Sequence, residues 1–73
     1  MFAARYRQIG AKIKYYRTLS GMEQVELADK CCITSQYLSK IERGVAKPST
    51  DLLLMIATQL GVDIVQIFQT ESK

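Results

Sequence analysis

Ile33-Thr34-Ser35-Gln36-Tyr37-Leu38-Ser39-Lys40-Ile41-Glu42-Arg43-Gly44 is the stretch that decides the fold. Thr34 suits a helix N-cap, because its hydroxyl can accept an N–H that the first turn leaves without a partner. Gly44 suits a helix stop, because it turns left-handed without a Cβ clash. On a helical wheel Tyr37, Leu38 and Ile41 fall within an arc of about 100°. Ser35, Gln36, Ser39, Lys40 and Arg43 fall within the opposite arc of about 140°. That polar arc has no acid, and Glu42 sits at its boundary beside Leu38. The stretch predicts an amphipathic helix with one buried face and one cationic, hydrogen-bonding face.

A shorter helical run, residues 24–31, precedes it. Met22, Val25, Leu27, Ala28 and Cys31 supply its apolar side, and Glu23, Glu26 and Asp29 are solvated. Glu23 at its start suits the helix dipole. Only Cys32 and Ile33 separate this run from Thr34. That spacing fits a helix-turn-helix, whose second helix lies in the major groove of DNA. The side-chain types on the polar arc can read base edges. Gln pairs bidentately with adenine, Lys donates to guanine, and Ser bonds to either. A merely solvated face remains the alternative for this helix taken alone.

Further out, residues 4–19 form a first amphipathic helix. Phe2, Tyr6, Ile9, Ile13 and Tyr16 share an arc of about 80°, with Arg17 at its edge. Arg5, Arg7, Lys12 and Lys14 lie off that stripe, and Ser20-Gly21 ends the run. A fourth helix opens at Pro48-Ser49, with Ser49 as cap, and continues to Leu60. Leu53, Ile56, Ala57 and Leu60 form its core arc, while Leu52, Leu54 and Met55 lie outside. A short fifth helix follows Asp63 through Ile64, Val65, Ile67 and Phe68. Residues 70–73 are polar and read as a frayed end.

The chain has 73 residues, 48% of them apolar. This is one small all-α domain of five helices spanning 1–73, its core about residues 9–68. No apolar run reaches the ~20 residues of a membrane span. No secretory signal is evident, so a cytoplasmic protein is expected. The net charge of +3 suits a polyanionic partner. There is no His, which removes the commonest general base and metal ligand. Cys31 and Cys32 are adjacent, which is no zinc spacing and closes no useful loop. They read as reduced thiols, with a redox role for Cys32 as the alternative. No nucleophile motif, phosphate loop or metal spacing is present, so no enzyme, cofactor, metal or small-molecule ligand is expected.

The stretches 21–28, 33–44 and 47–49 closely resemble the phage repressor/Cro-like helix-turn-helix family, including its bacterial xenobiotic-response-element-type members. Ile9-Gly10 and Ile13-Lys14 upstream, and Ile56-Ala57 with Leu60-Gly61-Val62 downstream, match in spacing. The resemblance covers about residues 9–68 and implies a lambda-repressor-like five-helix fold. It also implies site residues. Ser35, Gln36, Ser39 and Lys40 would face the bases, with Ser35, Gln36 and Lys40 as the best readers. Gln24, Thr34, Tyr37, Arg43 and, less centrally, Lys47 would meet the DNA backbone. Arg17 and Glu42 would form an internal ion pair; the wheel independently puts both at the edges of buried faces. The sequence departs from the family pattern at three places. Glu23 replaces the usual Thr or Ser cap, Cys32 the usual turn Gly, and Cys31 what is often Ala.

The function so implied is a sequence-specific transcriptional regulator, a repressor or restriction–modification controller, binding double-stranded DNA. A chain of this length leaves no room for a ligand-sensing domain, so control by concentration, dimerisation or a partner is expected. The alternative is a helix-turn-helix antitoxin or interaction adaptor. A homodimer is expected through Leu52, Met55 and Val65, with Leu54 alongside; Val65 takes a place often polar in relatives. Clustered exposed apolar residues usually mark a contact, although a small protein also shows some apolar side chains without one.

Overall fold

The computed structural model describes residues 2–69, and of Phe2 and Ala3 the backbone only. The expected seat of the Phe2 side chain and the frayed end at 70–73 lie outside the described residues. Five helices follow one another: α1 (Phe2–Leu19), α2 (Gln24–Lys30), α3 (Ser35–Arg43), α4 (Thr50–Leu60) and α5 (Ile64–Phe68). The described residues form no strand.

Local chemistry sets the boundaries. Thr34 Oγ1 accepts from the Tyr37 N–H at 3.0 Å and opens α3. Ser49 Oγ accepts from the Leu52 N–H at 3.1 Å and opens α4. Each such cap contributes about 1 kcal/mol. Glu23 stands at the N-cap of α2 and makes no side-chain cap bond. At the start of α5 the Gln66 side-chain carbonyl accepts from the Asp63 N–H at 3.0 Å.

The first four helices end alike, each with a left-handed residue just past it. At the end of α3, Gly44 takes φ 80°, and the Val45 N–H reaches back to the Lys40 carbonyl at 3.0 Å. This is the Schellman pattern, and it needs a left-handed residue past the helix. The end of α2 makes the same bonds: Ile33 N–H to Ala28 O at 3.0 Å and Cys32 N–H to Asp29 O at 3.1 Å. There the left-handed residue is Cys32, at φ 59°.

The core is built from one stripe per helix: Ile9 and Ile13 of α1, Leu27 and Ala28 of α2, Leu38 and Ile41 of α3, Leu53 and Ile56 of α4, and Ile67 of α5, with Cys31, Ala57 and Leu60 completing it. Each fully buried Leu or Ile contributes about 1.5–3 kcal/mol. Two expectations are corrected. Val25 is exposed rather than part of the apolar side of α2; it lies about 110° round the wheel from the Leu27–Ala28–Cys31 side. Leu52 is not wholly outside the core of α4: it is half-buried and packs on its flank.

Helix α1 crosses the last turn of α3 very closely. A Cβ at Gly10 would overlap the Ile41 carbonyl oxygen and stand 2.6 Å from that of Glu42. Only glycine allows the two backbones this approach. The contact fixes α3 with its polar face outward.

Candidate nucleic-acid interface

Helix α3 is held from behind and open in front. Leu38 and Ile41 are buried, while Gln36, Lys40 and Arg43 are exposed. Ser35 and Ser39 are half-buried, and their side chains are shorter than those of Gln36 and Lys40. Tyr37 is half-buried and packs its ring side against the core. Thr34 is exposed, with its hydroxyl already accepting the cap bond. A shallow depression runs along this face, lined by Thr34, Gln36, Tyr37, Ser39, Lys40 and Arg43. A second depression adjoins it, and Ser39 and Arg43 line both. Lys14, Arg17, Glu23, Gln24 and Glu42 complete the wall of the second. Lys47 is exposed in the loop after α3 and lines neither.

A charged cluster beneath this surface ties three helices together. Arg17 Nε donates to Glu42 Oε2 at 2.7 Å, and Arg17 Nη2 donates to Glu42 Oε1 at 3.1 Å. Two parallel bonds of this kind are the strong, orientation-fixing form of an Arg–carboxylate pair. Arg17 Nη1 also donates to the Met22 carbonyl at 2.9 Å, which pins the α1–α2 connection. The side chain of Glu42 is 3% exposed and that of Arg17 13%. Gln24 Nε2 completes the cluster with a bond to Glu42 Oε1 at 3.0 Å.

That last bond is one that sequence reasoning missed. Gln24 lies three and four residues before Leu27 and Ala28, so it faces the same inner side of α2. The spacing was available as a signal. Its partner, 18 residues away, was not. One amide hydrogen of Gln24 remains for an outside acceptor.

Elsewhere, α4 and α5 leave Leu54, Met55, Val65 and Phe68 exposed. The structure does not bring these residues near the open face of α3 as lining of either depression. Among the described residues no group of His, Cys, Asp and Glu could hold a metal ion, and no helix is long and apolar enough to cross a membrane. Both cysteines are free thiols, Cys31 buried and Cys32 exposed. Burial pushes the Cys31 thiol pKa up, and the neighbouring Cys32 adds to the effect.

Two short helices joined by a left-handed turn, the second presenting an acid-free polar face, define a helix-turn-helix domain. The helix-turn-helix family model (HTH_3) matches residues 13–67, and the chain belongs to that family. An HTH-type transcriptional regulator of Methanocaldococcus jannaschii, MJ0272, is 42% identical over 57 residues, covering 78% of this chain and 86% of that one. The immunity repressor protein of Bacillus phage phi105 is 34% identical over 64 residues, covering 88% of this chain and 44% of the repressor. The chain thus spans less than half the length of several curated relatives. Among solved structures, the restriction-modification controller protein C.AhdI from Aeromonas hydrophila superposes with a TM-score of 0.86 at 27% identity, over 90% of this chain and 96% of that one. The biofilm regulator SinR in complex with DNA superposes with a TM-score of 0.78 at 35% identity, over 84% and 98%. The resemblance to phage repressors and the all-α fold read from the sequence are both borne out.

Proposed function

We propose that this chain is a sequence-specific, DNA-binding transcriptional regulator acting as a homodimer in the cytoplasm, with α3 in the major groove. The observation that carries the proposal is the division of α3. Leu38 and Ile41 lock it into the core, and Gln36, Ser39 and Lys40 stand on an outer face without an acid. Its relatives are transcriptional regulators, and one similar structure is a DNA complex.

Gln36 and Lys40 are the principal readers, through adenine and guanine edges, with the shorter Ser35 and Ser39 bonding to bases beside them. Thr34, Tyr37, Arg43 and the remaining amide hydrogen of Gln24 meet phosphates, and Lys47 follows the backbone beyond. These contacts position the domain and carry no sequence information. The Arg17–Glu42–Gln24 cluster acts from beneath by fixing α2 relative to α3. Met55, Leu54, Val65 and the exposed flank of Leu52 form the contact between protomers. The protein acts by occupying its site, as a repressor does, and does no chemistry on the DNA.

Selection of bound duplexes from a random pool tests this reading. The expected product is a two-fold symmetric site whose half-sites lie about one helical turn apart. A pool without sequence enrichment would refute specific recognition.

A further inference from the structure

The proposed interface leaves part of the cationic surface without a role. Helix α1 carries Arg5, Arg7, Lys12, Lys14 and Arg17 and no acid. Arg17 is used inside the molecule. Arg7 and Lys14 lie elsewhere on α1, and their placement is set by the close crossing at Gly10. Positions 7, 10, 14 and 17 recur on one side of the helix. Gly10 and Arg17 fill the contact with α3, so Arg7 and Lys14 stand along its edge, two turns or about 10.5 Å apart. A Cβ at Gly44 would meet the Cγ of Arg7 at 2.5 Å, so the stem of Arg7 lies over the C-terminus of α3. Lys14 shares its depression with Gln24, Ser39 and Arg43, and Glu23 is the acid on that wall besides the paired Glu42. Arg7, Lys14 and Arg43 are all exposed, and among the described residues none of the three forms an ion pair.

We propose that Arg7 and Lys14 extend the DNA-binding surface from α3 onto α1, gripping phosphates that flank those met by Arg43. This rests on the DNA-binding reading of α3. It adds that the duplex is held by a track running from Arg43 outward to both sides of the α1–α3 crossing. Charge continuity supports it: Lys14 and Arg43 line one depression, and Arg7 stands over the helix end that carries Arg43. Duplex DNA offers a phosphate at every step past the recognition site, so the track meets regularly spaced anions. Contacts of this class raise affinity on every sequence and leave base choice alone.

The salt dependence of binding reads the number of phosphates engaged. The full chain and its Arg7→Gln, Lys14→Gln and Lys30→Gln variants are titrated onto a long random-sequence duplex at several salt concentrations. Lys30 is exposed at the far end of α2 and controls for bulk charge. Arg7→Gln and Lys14→Gln are each expected to flatten the slope of log K against log salt by about 0.9. Between about 50 and 200 mM salt, each such variant then loses about 3.5-fold less affinity than wild type. Lys30→Gln leaves the slope unchanged, and Arg7→Lys restores it. Slopes for Arg7→Gln and Lys14→Gln equal to that of Lys30→Gln overturn the proposal, and indicate that the patch serves another partner, such as an acidic protein. Wild type that binds no duplex at all overturns the reading of α3 and this extension together.

Discussion

Cys32 stands at φ 59°, a backbone region that L side chains enter at a cost of roughly 1–2 kcal/mol. It is exposed, and its N–H completes the end of α2 with a 3.1 Å bond to Asp29. The turn geometry is therefore kept against the residue's preference. Cys32→Gly is expected to raise stability by up to about 1 kcal/mol in urea unfolding, since glycine relieves the clash but adds freedom to the unfolded chain. A loss of stability would mean that the Cys32 side chain supplies packing. Glu42 poses the opposite case. Its carboxylate accepts from Arg17 and Gln24 while almost wholly buried. Removing it strands the guanidinium of Arg17 with only the Met22 carbonyl. Glu42→Ala is expected to lower stability by about 3 kcal/mol, several times the effect of a surface change. A melting temperature equal to wild type would show that the cluster contributes nothing net.

Among the elements, α1 and α3 meet through the Arg17–Glu42 pair and through a close backbone approach at Gly10. Gly10→Ala drives a methyl into the Ile41 and Glu42 carbonyls, which belong to a helix and cannot swing aside. It is expected to cost about 2–3 kcal/mol, seen as a lowered midpoint of thermal unfolding, and to weaken DNA binding by shifting α3. Unchanged stability would mean that the two helices slide apart freely. On α3 itself, position decides the kind of defect. Gln36→Ala and Lys40→Ala should each cost about 1–3 kcal/mol on the preferred site and relax base choice there. Arg43→Ala should weaken all duplexes alike. Competition binding against single-base variants of the site separates the two patterns. Equal losses on all sequences for Lys40→Ala would remove it from the readers. The elements were legible because their signals are local. Thr34 and Ser49 cap within three residues, and Gly44 and Gly61 end helices in place. The left-handed turn at Cys32 was legible only through the resemblance, because nothing in a cysteine asks for positive φ. What was lost was relational. Val25 was placed inward because a helix of seven residues gives the wheel too few turns. Gln24 was given only a contact with the DNA backbone, since its bond to Glu42 needs the tertiary fold.

For the whole molecule, one recognition helix spans only a few base pairs, and useful specificity requires two. Met55 and Val65, 42% and 63% exposed and outside both depressions at α3, offer an apolar surface through which a second copy can pair. A two-fold contact sets each such residue near its own mate, so an introduced charge repels itself. Val65→Glu and Met55→Glu should give folded monomers with much weaker operator binding, with sedimentation at micromolar concentration as the check. A wild-type monomer that also fails to pair on DNA would end the dimer reading. The central claim is that the outer face of α3 reads sequence. Its most direct measurement is the ratio of affinities for the selected site and a scrambled duplex of equal length, at one salt concentration. A ratio of about 10³ or more is expected for wild type, falling about tenfold or more in Lys40→Ala. Equal affinity for the two duplexes, or a ratio untouched by Lys40→Ala and Gln36→Ala, would contradict the claim.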